Sequence, residues 1–366
     1  MSNAFLKSVI SLAVFVLTLF SVTAFSQSTE EKKPLPLHHG GRVVIGELNN
    51  IPTYTYSWPG VYFEAAFVGT EVDLKLNDSN NVLNIIVDGQ APVVLTKPGR
   101  TTYSINNLPQ GKHRVRIEKR TETLYGTGTF EGFFIPKNSQ AITLEKPKRS
   151  MEFIGDSALV GYGIRSSKRE CGEEEIVSFT DTQLTYAALT AKAFNADYQI
   201  NALSGFGVVR NYNGAFPENT FLSLYPYSLN DKGVLYKSDW SPNIIVIGLG
   251  GNDFATPLNA GEKWKTREAL QDDYVKSYKD FILSLHTKNP NAHFILLSYA
   301  VSGDELENQI ARVIKALKQE GMRDAGLLTT KAVELSACHW HPSETDHKNA
   351  AKILISYINA NPGLWN

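Results

Sequence analysis

Four short stretches of this chain carry residue types that could do chemistry together. A short apolar run, Met151 to Ile154 with one Glu in it, breaks into Gly155-Asp156-Ser157. A serine delivered into a tight turn at the carboxyl end of a strand becomes a nucleophile if a base reaches it. Downstream come Asn201-Ala202-Leu203-Ser204-Gly205-Phe206-Gly207, then Gly250-Gly251-Asn252-Asp253-Phe254, then Cys338-His339-Trp340-His341-Pro342-Ser343. Cleavage of an ester needs a nucleophile, a base, and donors aimed at the oxygen that becomes negative. Ser157 supplies the first and His341 the second. The backbone N–H groups of Ser157 and Gly205, with the Asn252 amide, supply the third, and glycine at 205 would let the backbone come close to the oxyanion. Each stretch alone has a plainer reading: a polar turn, a loop needing positive φ, a turn after a buried strand, and two histidines as metal ligands. No cysteine–acid cluster completes a zinc set, so metal ranks below hydrolysis and no cofactor is expected.

Strands ending at these stretches must position them. After Pro136–Arg149, with Pro147 and Lys148, the pattern becomes strand then helix. Strands are expected at 151–154, 197–201, 243–249, 292–299 and 326–329, and helices at 182–195, 267–288, 304–320 and 345–360. Leu184, Ala187, Ala188 and Ala191 share one helical face, as do Tyr274, Tyr278, Phe281 and Leu285. The alternation predicts an α/β three-layer domain around a parallel sheet over residues 146–366. Between residues 42 and 145 the rhythm is different. Val72, Leu74 and Leu76, then Leu83, Ile85 and Val87, then Val115 and Ile117 alternate with other residues, which predicts an all-β sandwich of about 8 strands, a jelly roll. Residues 27–41, with Glu30-Glu31-Lys32-Lys33-Pro34 and Gly40-Gly41, read as a solvated linker. His38 and His39 fall in it; His286 and His347 read as helix-surface residues and His293 as a strand-edge residue.

The chain has 366 residues, 42% hydrophobic and 20% charged, enough for two cores. Its 36 basic and 37 acidic residues leave no net field, and no basic stripe is interleaved with aromatics, so nucleic acid is not an expected partner. Lys7 followed by the apolar run Val9 to Phe20, then small residues up to Ser26, reads as a signal peptide over residues 1–26. An uncleaved anchor is the alternative; after cleavage no integral membrane span is expected. Export to the periplasm or the exterior would permit a disulfide between the two cysteines, Cys171 and Cys338, although two separate thiols fit the sequence equally.

In this order the four stretches resemble the SGNH (GDSL-like) hydrolases. Gly161-Tyr162-Gly163, Cys171, Ala193-Phe194-Asn195-Ala196-Asp197-Tyr198, the run Ser204 to Tyr212, Leu249 to Phe254 and Trp340-His341-Pro342-Ser343 further resemble carbohydrate esterase family 2. That family joins an amino-terminal jelly roll to an SGNH domain and removes acetyl groups from plant polysaccharides. The resemblance implies Ser157 as nucleophile, His341 as base, and Gly205 and Asn252 as oxyanion partners. It implies an acetylated polysaccharide or oligosaccharide, such as xylan or glucomannan, as substrate. Exposed aromatics such as Trp58, Tyr212, Trp264 and Trp340 could stack on sugars, with Trp340 and Tyr212 the substrate-binding candidates. Two positions depart from the family pattern. Gly251 replaces a threonine, and His339 stands where an Asp would orient the imidazole. A Ser–His dyad with a backbone carbonyl holding His341 is the favoured outcome; another carboxylate reaching in, or weak catalysis, are the others. A carbohydrate-binding relative without catalysis and a general short-chain acyl esterase remain as alternative functions. The sequence leaves the oligomeric state open.

Overall fold

Two-residue alternation and turn residues fold the first part of the chain into a pair of antiparallel sheets. A computed structural model describes residues 31–299, 304–322 and 325–365; the expected signal peptide lies outside them. The first strands are β1 (Lys32–Leu35), β2 (His38–Gly40), β3 (Val44–Leu48), β4 (Ile51–Tyr56), β5 (Tyr62–Gly69) and β6 (Val72–Asp78). Then follow β7 (Val82–Val87), β8 (Val93–Thr96), β9 (Gly99–Ile105), β10 (Gly111–Lys119), β11 (Gly128–Pro136) and β12 (Gln140–Ile142). One sheet runs β3-β4-β11-β6-β9 with β1 added to β11; the other runs β12-β5-β10-β7-β8 with β2 added to β5. Val72, Leu74 and Leu76 point inward, as do Val115 and Ile117, and Phe63 meets Phe130 at 4.6 Å between ring centroids. Burying each such side chain is worth about 1.5–3 kcal/mol.

Two expectations are corrected here. Ten strands stand among the described residues between 42 and 145, where about eight were expected, because short edge strands such as β8 and β12 show too little alternation to be read. The supposed linker is sheet over much of its length. Lys32↔Pro136 to Leu35↔Phe133 and His38↔Glu64 to Gly40↔Tyr62 are paired, and a polar strand of this kind is stable because its backbone bonds, not its side chains, join the edge. His39 accordingly packs on Tyr54 and Phe63.

The second part is a parallel sheet, β13 (Arg149–Gly155), β14 (Ala196–Ala202), β15 (Ile244–Gly248), β16 (His293–Tyr299) and β17 (Ala325–Thr330), in the order β14-β13-β15-β16-β17. The helices are α1 (Ser157–Val160), α2 (Glu173–Phe179), α3 (Tyr186–Ala193), α4 (Phe221–Leu224), α5 (Gly251–Phe254), α6 (Arg267–Lys288), α7 (Glu305–Gln319) and α8 (Glu344–Ala360). The expected helix 182–195 starts instead as a single 3-10 turn, Thr182–Leu184, before α3. Both sheet faces are covered. α6 and α7 pack on one through Tyr274, Tyr278, Ile310 and Val313; α3 and α8 pack on the other through Ala187, Ala191, Ala351 and Leu354. His347 belongs to this second core. It is buried, its Nδ1 accepts from Tyr186 N at 3.3 Å, and its ring stacks on Tyr186, so the helix-surface reading is corrected. With no carboxylate bonded to it, burial pushes its imidazole down to about 3.

Lys32–Asn366 forms one compact unit, and the two layers share cores. Trp58, expected to be exposed, is fully buried in the α6 face of the hydrolase-like half, with Nε1 donating to Tyr227 O at 3.2 Å. Tyr62 of β5 enters the opposite core, 4.9 Å from Tyr198.

Candidate active site

Strand β13 has β14 on one side and β15 on the other, so the chain leaves its carboxyl end at the crevice where the direction of winding reverses. Ser157 is the first residue of α1 at that point. Asp156 caps the helix, accepting from Ala158 N at 3.1 Å, and Gly161 closes it in the left-handed region at φ 74. One turn of helix thus fixes the serine backbone.

His341 stands two residues before the N-cap of α8. Ser343 and Asp346 bond reciprocally there: Asp346 N donates to Ser343 Oγ at 3.1 Å and Ser343 N to Asp346 Oδ2 at 3.0 Å. The Asp346 carboxylate also accepts from the N–H groups of Val333, Glu334 and Leu335, so one side chain anchors both ends of the histidine loop. His341 Nε2 lies 2.8 Å from Ser157 Oγ, and Nδ1 lies 2.9 Å from Cys338 O. A carbonyl accepts only from N–H, so Nδ1 carries the proton and Nε2 is free to take one from the serine. The place of an acid is occupied by a backbone carbonyl. His339 turns away, its Nδ1 3.2 Å from Tyr162 Oη.

Electrostatics follow from this arrangement. Burial pushes the His341 imidazole down to about 4, with His339 pushing the same way, and the bond to Cys338 O only partly offsets them. Burial likewise pushes Asp156 up to about 7. His341 is therefore neutral, and a base, throughout the neutral range.

Cys171 and Cys338 form a disulfide across 167 positions of sequence. Gly163 makes room for it: a Cβ there would stand 2.4 Å from the Cys338 Cβ, so only glycine lets the turn after α1 touch the histidine loop. Cys338 is thus both a disulfide partner and the residue whose carbonyl holds His341.

Gly205 and Asn252 line the same cavity as Ser157 and His341, a cleft of about 620 Å³. Gly205 has φ 80 and open space where a side chain would be, so its glycine is required by backbone conformation and leaves the approach to its N–H clear. Among the described residues the N–H groups of Ser157 and Gly205 donate to no protein acceptor. The Asn252 amide donates to Phe206 O at 3.0 Å and, more weakly, to Asp156 Oδ2 at 3.4 Å. Gly251 stands close to the same carboxylate; a Cβ there would be 3.3 Å from Asp156 Oδ2. Tyr212 and Trp340, 55% and 57% exposed, both line the cleft. Trp264 does not; it is half-buried and donates to Asp273.

Sequence reasoning passed over four residues that build this site. The Tyr162 ring lies 4.4 Å from the His341 ring; its place between Gly161 and Gly163 was a visible signal. Asp253, beside Asn252, accepts from Val208, Val209 and Arg210 N at 2.8–2.9 Å and so shapes the Gly205 loop, while burial pushes its carboxyl up to about 6. Arg169 donates to Leu335 O and Glu334 O and takes His339 N on its own carbonyl. Glu122, from the sandwich, accepts from Ser204 N at 3.3 Å, and nothing in the sequence marks it.

The carbohydrate esterase 2 N-terminal family matches residues 40–144, and the GDSL-like lipase/acylhydrolase family matches residues 151–354. The chain is 49% identical over 340 residues to an acetylxylan esterase / glucomannan deacetylase of Cellvibrio japonicus, covering 92% of this chain and 94% of that one. The chain belongs to carbohydrate esterase family 2. A solved carbohydrate esterase whose active site displays divergent catalytic and non-catalytic binding functions superposes on this family 2 chain with a TM-score of 0.88 at 48% identity, covering 91% of this chain and 100% of that one. A family 2 carbohydrate esterase from Clostridium thermocellum, solved with cellohexaose, superposes at 0.77 and 27% identity over 90% of this chain and 100% of that one. The jelly roll and the three-layer GDSL-like domain are thus the family 2 architecture, and the protein is a carbohydrate esterase.

Proposed function

We propose that this protein is an exported serine esterase that removes O-acetyl groups from plant polysaccharide or oligosaccharide, xylan or glucomannan, through an acyl-enzyme. The single observation that carries the reading is the relay from Cys338 O through His341 to Ser157 Oγ, with contacts of 2.9 and 2.8 Å. In this reading Ser157 Oγ attacks the acetyl carbonyl while His341 Nε2 takes its proton. The carbonyl oxygen becomes an oxyanion met by the N–H groups of Ser157 and Gly205 and by the Asn252 amide, whose long contact to Asp156 is the one that yields. Collapse breaks the bond to the sugar oxygen, which leaves with the proton from His341. Water, giving its proton to His341, then attacks acetyl-Ser157; the bond to Ser157 Oγ breaks, His341 Nε2 returns the proton to that oxygen, and acetate leaves. Gly248, Leu297 and Leu306 line the apolar side of the cleft, where the acetyl methyl fits, and Tyr212 and Trp340 offer faces for sugar rings. Similarity to the acetylxylan esterase / glucomannan deacetylase supports the substrate class.

The test is acetate release from acetylated xylan and glucomannan, and hydrolysis of an aryl acetate, by the purified chain. Ser157→Ala is expected to abolish both, and Asn252→Ala to lower kcat by about 10²–10³. Retained activity in Ser157→Ala would overturn the mechanism, and polysaccharide binding without acetate release would replace esterase by binding protein. Faster turnover of long-chain than acetyl esters would point to a general acyl esterase.

A further inference from the structure

The sandwich reaches the catalytic end of the parallel sheet with residues 119–123, all five of them buried although every one is polar or charged. On one side this strap holds the segment that carries Gly205. Thr123 Oγ1 donates to Ala202 O at 3.0 Å, the last carbonyl of β14, and Glu122 accepts Ser204 N–H at 3.3 Å. Between these contacts Leu203 N donates to Gly155 O and Leu203 O accepts from Phe206 N, so the backbone leading into Gly205 is held from both sides. On the other side the strap holds the nucleophile. Arg120 O accepts from Thr182 N at 3.0 Å, and the one Thr182 hydroxyl proton lies between Val160 O of α1 at 2.7 Å and Arg120 O at 3.0 Å. Arg120 also pairs with Asp181 at 3.1 Å. The strap itself is stiffened by Lys119, whose Nζ donates to Thr121 O at 2.6 Å and Glu122 O at 2.9 Å.

We propose that the sandwich is part of the oxyanion site, with Glu122 as a positioning residue that fixes the Ser204 N–H and thereby aims the adjacent Gly205 N–H. This rests on the esterase reading of the site and adds to it a role for the sandwich. A peptide plane held at one N–H constrains the next through the shared Cα, and an oxyanion donor is effective only if its direction is set before the charge develops. Glu122 does not touch the reacting atoms; its effect passes through the backbone.

The experiment uses the full chain and measures 4-nitrophenyl acetate hydrolysis, the inhibition constant of methylboronic acid as a tetrahedral adduct on Ser157, and Tm. Glu122→Ala is expected to lower kcat by about tenfold or more, part of what a whole donor supplies, with KM changed less than twofold and boronate binding weakened in parallel. Glu122→Gln keeps an acceptor oxygen and is expected to recover most of the loss. Glu122→Asp, one methylene short of Ser204, is expected to behave like Glu122→Ala, and it decides the matter if the alanine variant does not fold. A folded Glu122→Ala or Glu122→Asp with lower Tm but kcat within twofold of wild type would overturn the proposal, leaving Glu122 a bond between layers. Wild type without acetyl esterase activity would end the esterase reading, and this proposal with it; active wild type with an indifferent Glu122 would end this proposal alone.

Discussion

The proposed base, a histidine whose Nδ1 meets a carbonyl and not a carboxylate, should show that partner in its titration. The Nδ1 partner of His341 is a neutral carbonyl, and its neighbours His339 and Tyr162 supply no negative charge, so nothing pays the cost of protonating a buried imidazole. Its basic form persists down to about 4. Because protonation removes the base, kcat/KM is expected to stay level from neutral pH downward and to fall only through that value. A pH–rate profile whose acid limb, unmoved by Asp156→Asn, sits at or above the ordinary imidazole value of 6.5 would overturn the reading of a buried base with no charged partner. His339→Asp provides a second check. Loss of the acid from a true triad costs about 10⁴ in kcat, but here Nδ1 is already bonded and residue 339 faces Tyr162. Restoring an Asp is expected to give no gain of that kind. Asp tolerates the left-handed conformation that His339 holds at φ 53, so the variant should fold.

At the scale of elements, the site depends on two short pieces of chain that have little regular structure of their own. The loop before α8 keeps Leu335, His339 and Trp340 in the left-handed region, a conformation that persists only where surrounding bonds over-determine it. Asp346, Arg169 and the Cys171–Cys338 disulfide supply those bonds. Reduction of the disulfide, which closes a loop of 167 positions, is expected to lower stability by about 2–5 kcal/mol. It should lower kcat as well, because Cys338 O would lose its fixed position. Thermal melting and aryl acetate turnover with and without reductant measure both. A lowered Tm with unchanged kcat would show that Asp346 and Arg169 suffice to hold the base.

For the whole molecule, the sandwich and the three-layer half do not behave as beads on a string. Trp58 sits in the core under α6, and Tyr62 in the core beneath α3. Trp58→Ala is expected to destabilise the entire chain by about 3–5 kcal/mol, read from urea unfolding followed by fluorescence and by circular dichroism. Both probes should report one transition, since neither half can unfold without exposing the other's core. Two resolved transitions, with only the first moved by Trp58→Ala, would show independent domains.

The sequence by itself determined the parallel sheet and the strand ends. Buried strands such as β13 and β15 are apolar runs, and Gly155, Ser204 and Gly250 break them where side-chain chemistry begins. It also determined the types of group available, because Ser157, His341 and Asn252 sit in motifs whose spacing follows the strand–helix repeat. The sandwich was legible as a class through Val72, Leu74 and Leu76, yet β1 and β2 were not, since edge strands are held by backbone bonds that leave no pattern in side chains. Only the tertiary structure decided what holds His341, because a carbonyl is present at every residue and its use depends on the fold. Burial of His347 and Trp58 was decided there too: a polar or aromatic residue on one helix or loop reads the same until another layer covers it. Contacts across 184 positions, as between Ser157 and His341, are set by the packing of whole elements, which local residue types do not encode.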